Sequence, residues 1–257
     1  MTDCYYRRLG KYEYASTDFT RSNWTPEIQH GSPPLALLTR AIEDELAGSG
    51  LRIGRLTLDI LGAIPVAPLH VQTRVPRPGK RIALLTSELA AVGDTRPVAR
   101  VTAWALAPSD TAAVATDRYP PLVEVPPTPA PAFWWDAPGY LESVDFRNQP
   151  DDAGARVVWM TPRAGLIDDE PTTALQRLTM VVDSANGVGA VLDPSTFAFM
   201  NTDTVLHLHR LPTGQDFAVR ARASIGPDGL GVTTAEVFDR DGFIGTSAQT
   251  LLVQPVG

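Results

Sequence analysis

The sequence predicts an α+β chain made of two consecutive copies of one unit, a single helix followed by a four-stranded antiparallel meander. Three observations carry this. Apolar and polar residues alternate over strand-length runs, four in each half. A helical stripe precedes each set of four. Landmarks then recur at a steady offset: Pro65 and Pro212 stand 147 residues apart, Val98 and Ile244 stand 146 apart.

The elements follow in order. Tyr5 to Trp24 is aromatic and β-prone, and a turn at Gly10 makes it a strand pair. Leu35, Leu38, Ile42 and Leu46 fall at helical spacing, with Ser32 as the expected N-cap, Pro33 in the first turn, and Gly48 and Gly50 as the stop. Arg55–Leu61, Leu69–Val75, Ile82–Val92 and Val98–Ala107 are the first four strands, with turns at Pro78-Gly79 and Gly93-Asp94. Strict alternation buries one face of their sheet. Seven prolines between Pro120 and Pro138 make a stiff, extended crossing segment, and Phe133-Trp134-Trp135 is expected to begin the docking of the second half. Tyr140–Phe146 and Arg156–Met160 are strand-like. Thr172 to Gly189 reads as one helix, with Leu175, Leu178, Val182, Ala185 and Gly189 as its apolar stripe. Asp203–Leu211, Asp216–Ile225, Gly231–Phe238 and Ile244–Val253 complete the second meander, with turns at Gly226–Gly229 and Asp241-Gly242. The expected boundaries are 1–110 for the first unit, 111–138 for the connector and 139–257 for the second. A long helix wrapped by a curved antiparallel sheet is the hotdog arrangement, so the chain reads as a tandem, or double, hotdog.

Composition narrows the function. The 257 residues are 44% hydrophobic and 20% charged, an ordinary folded composition. Twenty-nine acids against 22 bases give a net charge of −7, which argues against nucleic acid as a partner. One cysteine, Cys4, excludes an intrachain disulfide and a zinc-finger framework. No run of 18 apolar residues and no apolar core in Met1–Gly10 occur, so no membrane partner is expected and the chain reads as cytoplasmic. Walker A, strand-linked GxGxxG and Gly-x-Ser-x-Gly patterns are missing. His207 and His209 share a strand face without a third ligand nearby, which suits a structural or solvated pair rather than a metal site.

Several segments resemble the acyl-CoA thioesterase II-like family. They are Trp24…His30-Gly31-Ser32-Pro33-Pro34, Arg55-Leu56-Thr57-Leu58-Asp59 with Pro65, and Arg77-Pro78-Gly79-Lys80-Arg81 in the first half. In the second half they are Val182-Asp183-Ser184-Ala185-Asn186-Gly187, Asn201-Thr202-Asp203…His209-Arg210-Leu211-Pro212, and Ser247-Ala248-Gln249. The resemblance implies hydrolysis of acyl-CoA to free acid and coenzyme A, a place in lipid metabolism, a homodimer, and no cofactor or metal beyond the coenzyme A of the substrate.

It also implies the catalytic positions. An Asp, a Thr or Ser, and a Gln hold the attacking water in that family, and here they fall on Asp183, Asn201 and Gln249. Asp183 shares a polar stripe with Thr179 and Asn186 on an otherwise apolar helix. Asn201 departs from the pattern, because it can hold a water but cannot act as a hydroxyl relay. Thr202 points to the opposite strand face unless a one-residue bulge turns it in. Gln249 lies inside an apolar strand, and a buried amide needs a partner. Its repeat mate is Ala103, and the approximate mate of Asp183 is Ala36, so one working site per chain is expected.

His30 and Gly31 precede the first helix, where backbone N–H groups and the helix dipole suit a thioester carbonyl. The alternative is a simple helix-entry turn. Arg74, Arg77, Lys80 and Arg81 form the one dense basic cluster and suit coenzyme A phosphates, or else are a solvated hairpin. The competing function is a non-catalytic hotdog that binds an acyl ligand, which the atypical Asn201 favours. A hydratase pairs an Asp with a catalytic His, and no His follows Asp183 at close spacing.

Overall fold

The computed structural model describes residues 3–122, 126–129, 138–151, 154–168 and 170–256. It is predominantly β. Among the described residues fifteen strands form one continuous sheet in the order β10-β1-β2-β4-β5-β6-β3-β12-β15-β14-β13-β9-β8-β7, and β11 pairs with β15. The order is symmetric about the central antiparallel pair β3 (Arg52–Ile60) and β12 (Asp203–Leu208). Outward on one side run β6 (Ala99–Leu106), β5 (Ile82–Ala91), β4 (Pro68–Arg77), β2 (Glu13–Ser16) and β1 (Cys4–Arg8). Outward on the other run β15 (Gly242–Pro255), β14 (Leu230–Asp239), β13 (Phe217–Ile225), β9 (Arg156–Pro162) and β8 (Val144–Gln149). The short strands β7 (Thr128–Pro129), β10 (Gly165–Ile167) and β11 (Phe197–Asn201) were not foreseen from sequence. At two and three residues, β7 and β10 leave little open edge at the ends of the sheet.

Alternation does what the sequence reading required. In β5 and β6 the buried residues are Ala83, Leu85, Ser87, Leu89, Ala99, Val101, Ala103 and Ala105. They meet helix α1 (Ser32–Glu45), which packs on β4, β5 and β6 and buries Leu35, Leu38 and Ile42 completely. Each such side chain contributes roughly 1.5–3 kcal/mol by leaving water. The helix begins one residue earlier than expected. Gly31 takes the cap position, and the Ser32 N–H is accepted by His30 Nδ1 at 3.1 Å, so Ser32 is the first helical residue rather than the cap.

The second helical stretch is not one helix. It runs as α2 (Ala174–Thr179), a 3₁₀ turn (Val182–Ser184) and α3 (Ala185–Gly189). A Thr173–Gln176 capping box starts it. Two local contacts break it. The Thr179 hydroxyl donates back to the carbonyls of Leu175 and Gln176. The buried Tyr140 hydroxyl donates to the Met180 carbonyl at 2.8 Å, the acceptor that the Ser184 N–H would use in an α-helix. The Ser184 N–H turns to the Val181 carbonyl instead. An inserted donor and the β-branched pair Val181-Val182 thus tighten the chain just where Asp183 stands. The helical stripe Thr179–Asp183–Asn186 consequently does not exist as a single face.

On the sheet face away from the helices, Val157, Trp159, Ala218, Phe238 and Phe243 form a second apolar cluster, against which Leu122 packs. Tyr119 stacks on Phe243 at 4.0 Å, and Arg220 donates to the Pro120 carbonyl at 2.6 Å. The described part of the connector therefore lies across the second half. Phe133-Trp134-Trp135 lies outside the described residues.

Candidate active site

The loop before α1 is fixed from several sides. Tyr6 donates to Gln29 Oε1 at 2.7 Å, Gln29 Nε2 donates to the Pro65 carbonyl at 2.7 Å, and the His30 N–H donates to the Thr20 carbonyl at 2.9 Å. These bonds carry His30 and Gly31 to the broken helix of the other half. A methyl group on the Gly31 Cα would lie 2.5 Å from Asp183 Oδ2, so only glycine permits this approach.

Asp183 is 3% exposed, and its two oxygens differ in surroundings. Oδ1 accepts Thr204 Oγ1 at 2.5 Å, Asn201 Nδ2 at 2.8 Å and Gln249 Nε2 at 3.3 Å. Gln249 Nε2 also donates to the Asp183 carbonyl at 2.9 Å and to Thr204 Oγ1 at 2.8 Å. The proton order is therefore fixed: Gln249 donates to Thr204, and Thr204 donates to the carboxylate. Oδ2 has no hydrogen-bond donor among the described residues. It faces Gly31, with His30 Nδ1 at 3.7 Å. That distance is not an ion pair, because Nδ1 is already the acceptor of the Ser32 N–H. Burial holds the His30 imidazole below the usual histidine range, outweighing the upward pull of Asp183. The ring stacks on Tyr140 at 3.8 Å, and burial drives the Tyr140 phenol upward, so both groups are neutral near pH 7.

A cavity of about 390 Å³ opens over this cluster. His30, Gly31, Asp183 and Asn201 line it on one side, and Trp24, Ile60, Ile64, Leu141 and Phe199 supply apolar walls. A carboxylate with one pinned and one free oxygen, set at the N-terminus of a 14-residue helix, can hold a water and take its proton.

The structure thus brings together His30, Gly31, Asp183, Asn201 and Gln249. Gln249, 1% exposed, holds Asp183 and Thr204 and does not line the cavity. Thr202 is not brought in. It is exposed, and its hydroxyl stays beside Asp203 Oδ1 and the Thr250 carbonyl. The hydroxyl of the site is Thr204, which the sequence reading missed. The cause is a one-residue step between the pairs Asn201↔Leu251 and Val205↔Ala248 along β15. The step falls between Asn201 and Val205, just after Thr202, whose N–H still donates to the Thr250 carbonyl and whose carbonyl accepts the Ile60 N–H. The step puts residues 201 and 204 on one face, which a regular strand cannot do.

The basic hairpin lies elsewhere. Arg77, Lys80 and Arg81 are exposed at the β4–β5 turn, next to Ile82. Ile82 pairs with Leu106, which pairs with Arg52 at the start of β3, whereas Ile60 at the end of β3 lines the cavity. Strand rise makes that separation about 26 Å. Within one copy of the chain these three residues do not reach the cavity. Among the described residues no group of three His, Cys, Asp or Glu side chains is set to hold a metal, and no helix is long and apolar enough to cross a membrane.

A reciprocal contact joins α1 to the start of α2. Glu43 accepts Gln176 Nε2 at 2.6 Å and the Thr173 hydroxyl at 3.2 Å. Glu43, rather than Ala36, meets the partner helix start as Asp183 meets Gly31. A cavity of about 360 Å³ lined by Leu46, Ile53, Leu175 and Pro212 adjoins it.

Two family descriptions match the sequence, the acyl-CoA thioesterase N-terminal domain over residues 20–106 and the acyl-CoA thioesterase C-terminal domain over residues 117–253. No curated protein sequence matches it significantly. Among solved structures, an inferred thioesterase of Novosphingobium aromaticivorans superposes with a TM-score of 0.72 at 19% identity, covering 96% of this chain and 98% of that one. An acyl-CoA thioesterase II of Mycobacterium marinum gives 0.68 at 14% identity, covering 98% and 95%. A hot dog fold protein of Alicyclobacillus acidocaldarius gives 0.69 at 16% identity, covering 97% and 96%. At these identities the likeness concerns fold.

Proposed function

Because the chain belongs to the acyl-CoA thioesterase family, we propose that it hydrolyses an acyl-CoA thioester to the free acid and coenzyme A at the Asp183 cavity. We read the architecture as two hotdogs in tandem, with α1 and the broken α2–α3 segment as their two helices. The observation that carries the activity is the divided carboxylate: Asp183 Oδ1 is held by Thr204, Asn201 and Gln249, while Oδ2 faces an apolar cavity at the start of α1.

In this reading a water sits between Asp183 Oδ2 and the Asn201 amide. Its oxygen attacks the thioester carbon while its proton passes to Oδ2. The carbonyl electron pair moves onto oxygen, where the Gly31 N–H, outside the intrahelical ladder, and the dipole of α1 oppose the charge. Collapse restores the carbonyl, breaks the carbon–sulfur bond and expels the thiolate, which is protonated by Asp183 or solvent. Thr204, Asn201 and Gln249 keep the carboxylate in place throughout. No side-chain nucleophile with an adjacent base is needed.

A non-catalytic acyl binder was favoured by Asn201 standing where a hydroxyl is usual. The Thr204 hydroxyl on Asp183 takes away that support. The deciding measurement is thiol release over a series of short to long acyl-CoA substrates, with Asp183→Ala and Asp183→Asn as controls. Turnover that survives in Asp183→Ala rejects the mechanism. Tight binding with no thiol release at any chain length rejects the activity. The homodimer is likewise a proposal, and analytical ultracentrifugation decides it.

A further inference from the structure

The His30 side chain does more than line the cavity. Its Nδ1 accepts the Ser32 N–H at 3.1 Å, so that nitrogen carries a lone pair and not a proton. A neutral imidazole must then hold its proton on Nε2. Among the described residues Nε2 has no protein partner, and it is not one of the buried unsatisfied atoms. The side chain is 17% exposed, on the wall of the cavity. The ring cannot swing freely, because it is stacked on Tyr140 with planes 11° apart. Protonation at Nδ1 would expel the Ser32 N–H, and among the described residues the charged group facing the ring is Asp183, 3.7 Å from Nδ1. Burial adds to this preference for the neutral ring.

We propose that His30 is a catalytic residue whose neutral imidazole donates its Nε2–H to the thioester carbonyl oxygen, and to the oxyanion formed from it, alongside the Gly31 N–H. The inference rests on the hydrolytic reading above and assigns one more group to the same site. It also separates two chemistries. The sequence places no His close after Asp183, yet the fold brings His30 to it across the two halves, which is the pairing a hydratase uses. A hydratase needs a basic nitrogen facing the substrate. Here the basic nitrogen faces the Ser32 N–H and the acidic one faces the cavity, so the tautomer selects carbonyl polarisation over proton abstraction.

The experiment has two arms on the full-length chain. In the first, ¹⁵N–¹H correlation spectra of the imidazoles, assigned with His30→Gln among the four histidines, are expected to show His30 as the Nε2–H tautomer at pH 7. An Nδ1–H tautomer or an imidazolium overturns the proposal. In the second, kcat is compared for the wild type, His30→Ala and His30→Gln with the best acyl-CoA substrate. Loss of one oxyanion donor is expected to lower kcat about 10²- to 10³-fold in His30→Ala. His30→Gln, which keeps a side-chain N–H, is expected to recover part of that loss. Calorimetric binding of a non-hydrolysable acyl-CoA ether shows whether the cavity is intact in each variant. Wild-type kcat in His30→Ala overturns the proposal, as does hydration of crotonyl-CoA by the wild type. If the wild type hydrolyses no acyl-CoA at all, the hydrolytic reading itself fails, an outcome distinct from either.

Discussion

Gly31→Ala isolates the position of the Asp183 carboxylate from every other property of the site. The backbone at residue 31 has φ −68° and ψ −24°, which alanine adopts without strain, so the substitution adds only a methyl group. That methyl would lie 2.5 Å from Oδ2, 2.9 Å from Cγ and 3.1 Å from Oδ1. Comfortable contact needs about 3.5 Å, so the carboxylate must retreat by about 1 Å. It cannot do so intact, because Thr204 at 2.5 Å and Asn201 at 2.8 Å hold its other oxygen. A misplacement of about 1 Å at a reacting group costs about 10²-fold in rate, or about 2.7 kcal/mol of transition-state stabilisation. Steady-state thiol release, followed with a chromogenic thiol reagent, is expected to show this loss mainly in kcat. Gly187→Ala is the control: Gly187 also lines the cavity, but a methyl there meets nothing within 4 Å. A folded Gly31→Ala protein with wild-type kcat/KM would refute the placement of the base.

Thr204→Val removes the hydroxyl that links Gln249 to Asp183 and is expected to lower kcat by one to two orders of magnitude, whereas Thr202→Val leaves it unchanged; the same thiol assay compares them. Arg210→Ala strips the bidentate partner from Asp239, whose side chain is fully buried. Breaking such a pair costs about 3–5 kcal/mol, a fall in Tm on the order of 10 °C by scanning calorimetry. Burial would raise the Asp239 carboxyl, but Arg210 and the N–H groups of Thr213 and Asp241 hold it below its ordinary value. This stabilisation is present above the unfolded carboxyl value and is lost as pH falls through the folded one, so Arg210→Ala should weaken the acid limb of the stability curve. Glu43 is the opposite case. Burial raises its carboxyl against the donors Gln176 and Thr173, so its contribution is fully present below the unfolded value and lost as pH rises through the folded one. Glu43→Gln should therefore raise Tm at pH 7 and gain nothing at pH 4.

Strands and the first helix were legible because a half-buried sheet and an amphipathic helix impose local periods. Asp183, Asn201 and Gln249 were legible as a motif. What escaped depends on contacts distant in sequence. The break at Met180 needs Tyr140, forty residues upstream. The turn of Thr204 toward the site needs a register step along β15, to which the alternation of 203–208 alone is blind. The meeting of His30 with Asp183 needs two halves packed together. The basic hairpin misled for a related reason. Charge density is visible in sequence, whereas its place at the far end of β3 follows only from strand pairing.

The reciprocal contacts of Asp183 with Gly31 and of Glu43 with Thr173 have a consequence for symmetry. Were the two halves separate identical subunits, any substitution made for catalysis at one helix start would be imposed on the other, and both would have to balance reactivity against cohesion. Covalent linkage lifts that constraint. One junction can keep an unsatisfied carboxylate oxygen at an open cavity while the other closes donors from Gln176 and Thr173 around its carboxyl, where burial favours the neutral acid. The fused chain can thus give its two related corners different environments, one open and one closed, at a fixed effective concentration that dilution does not alter.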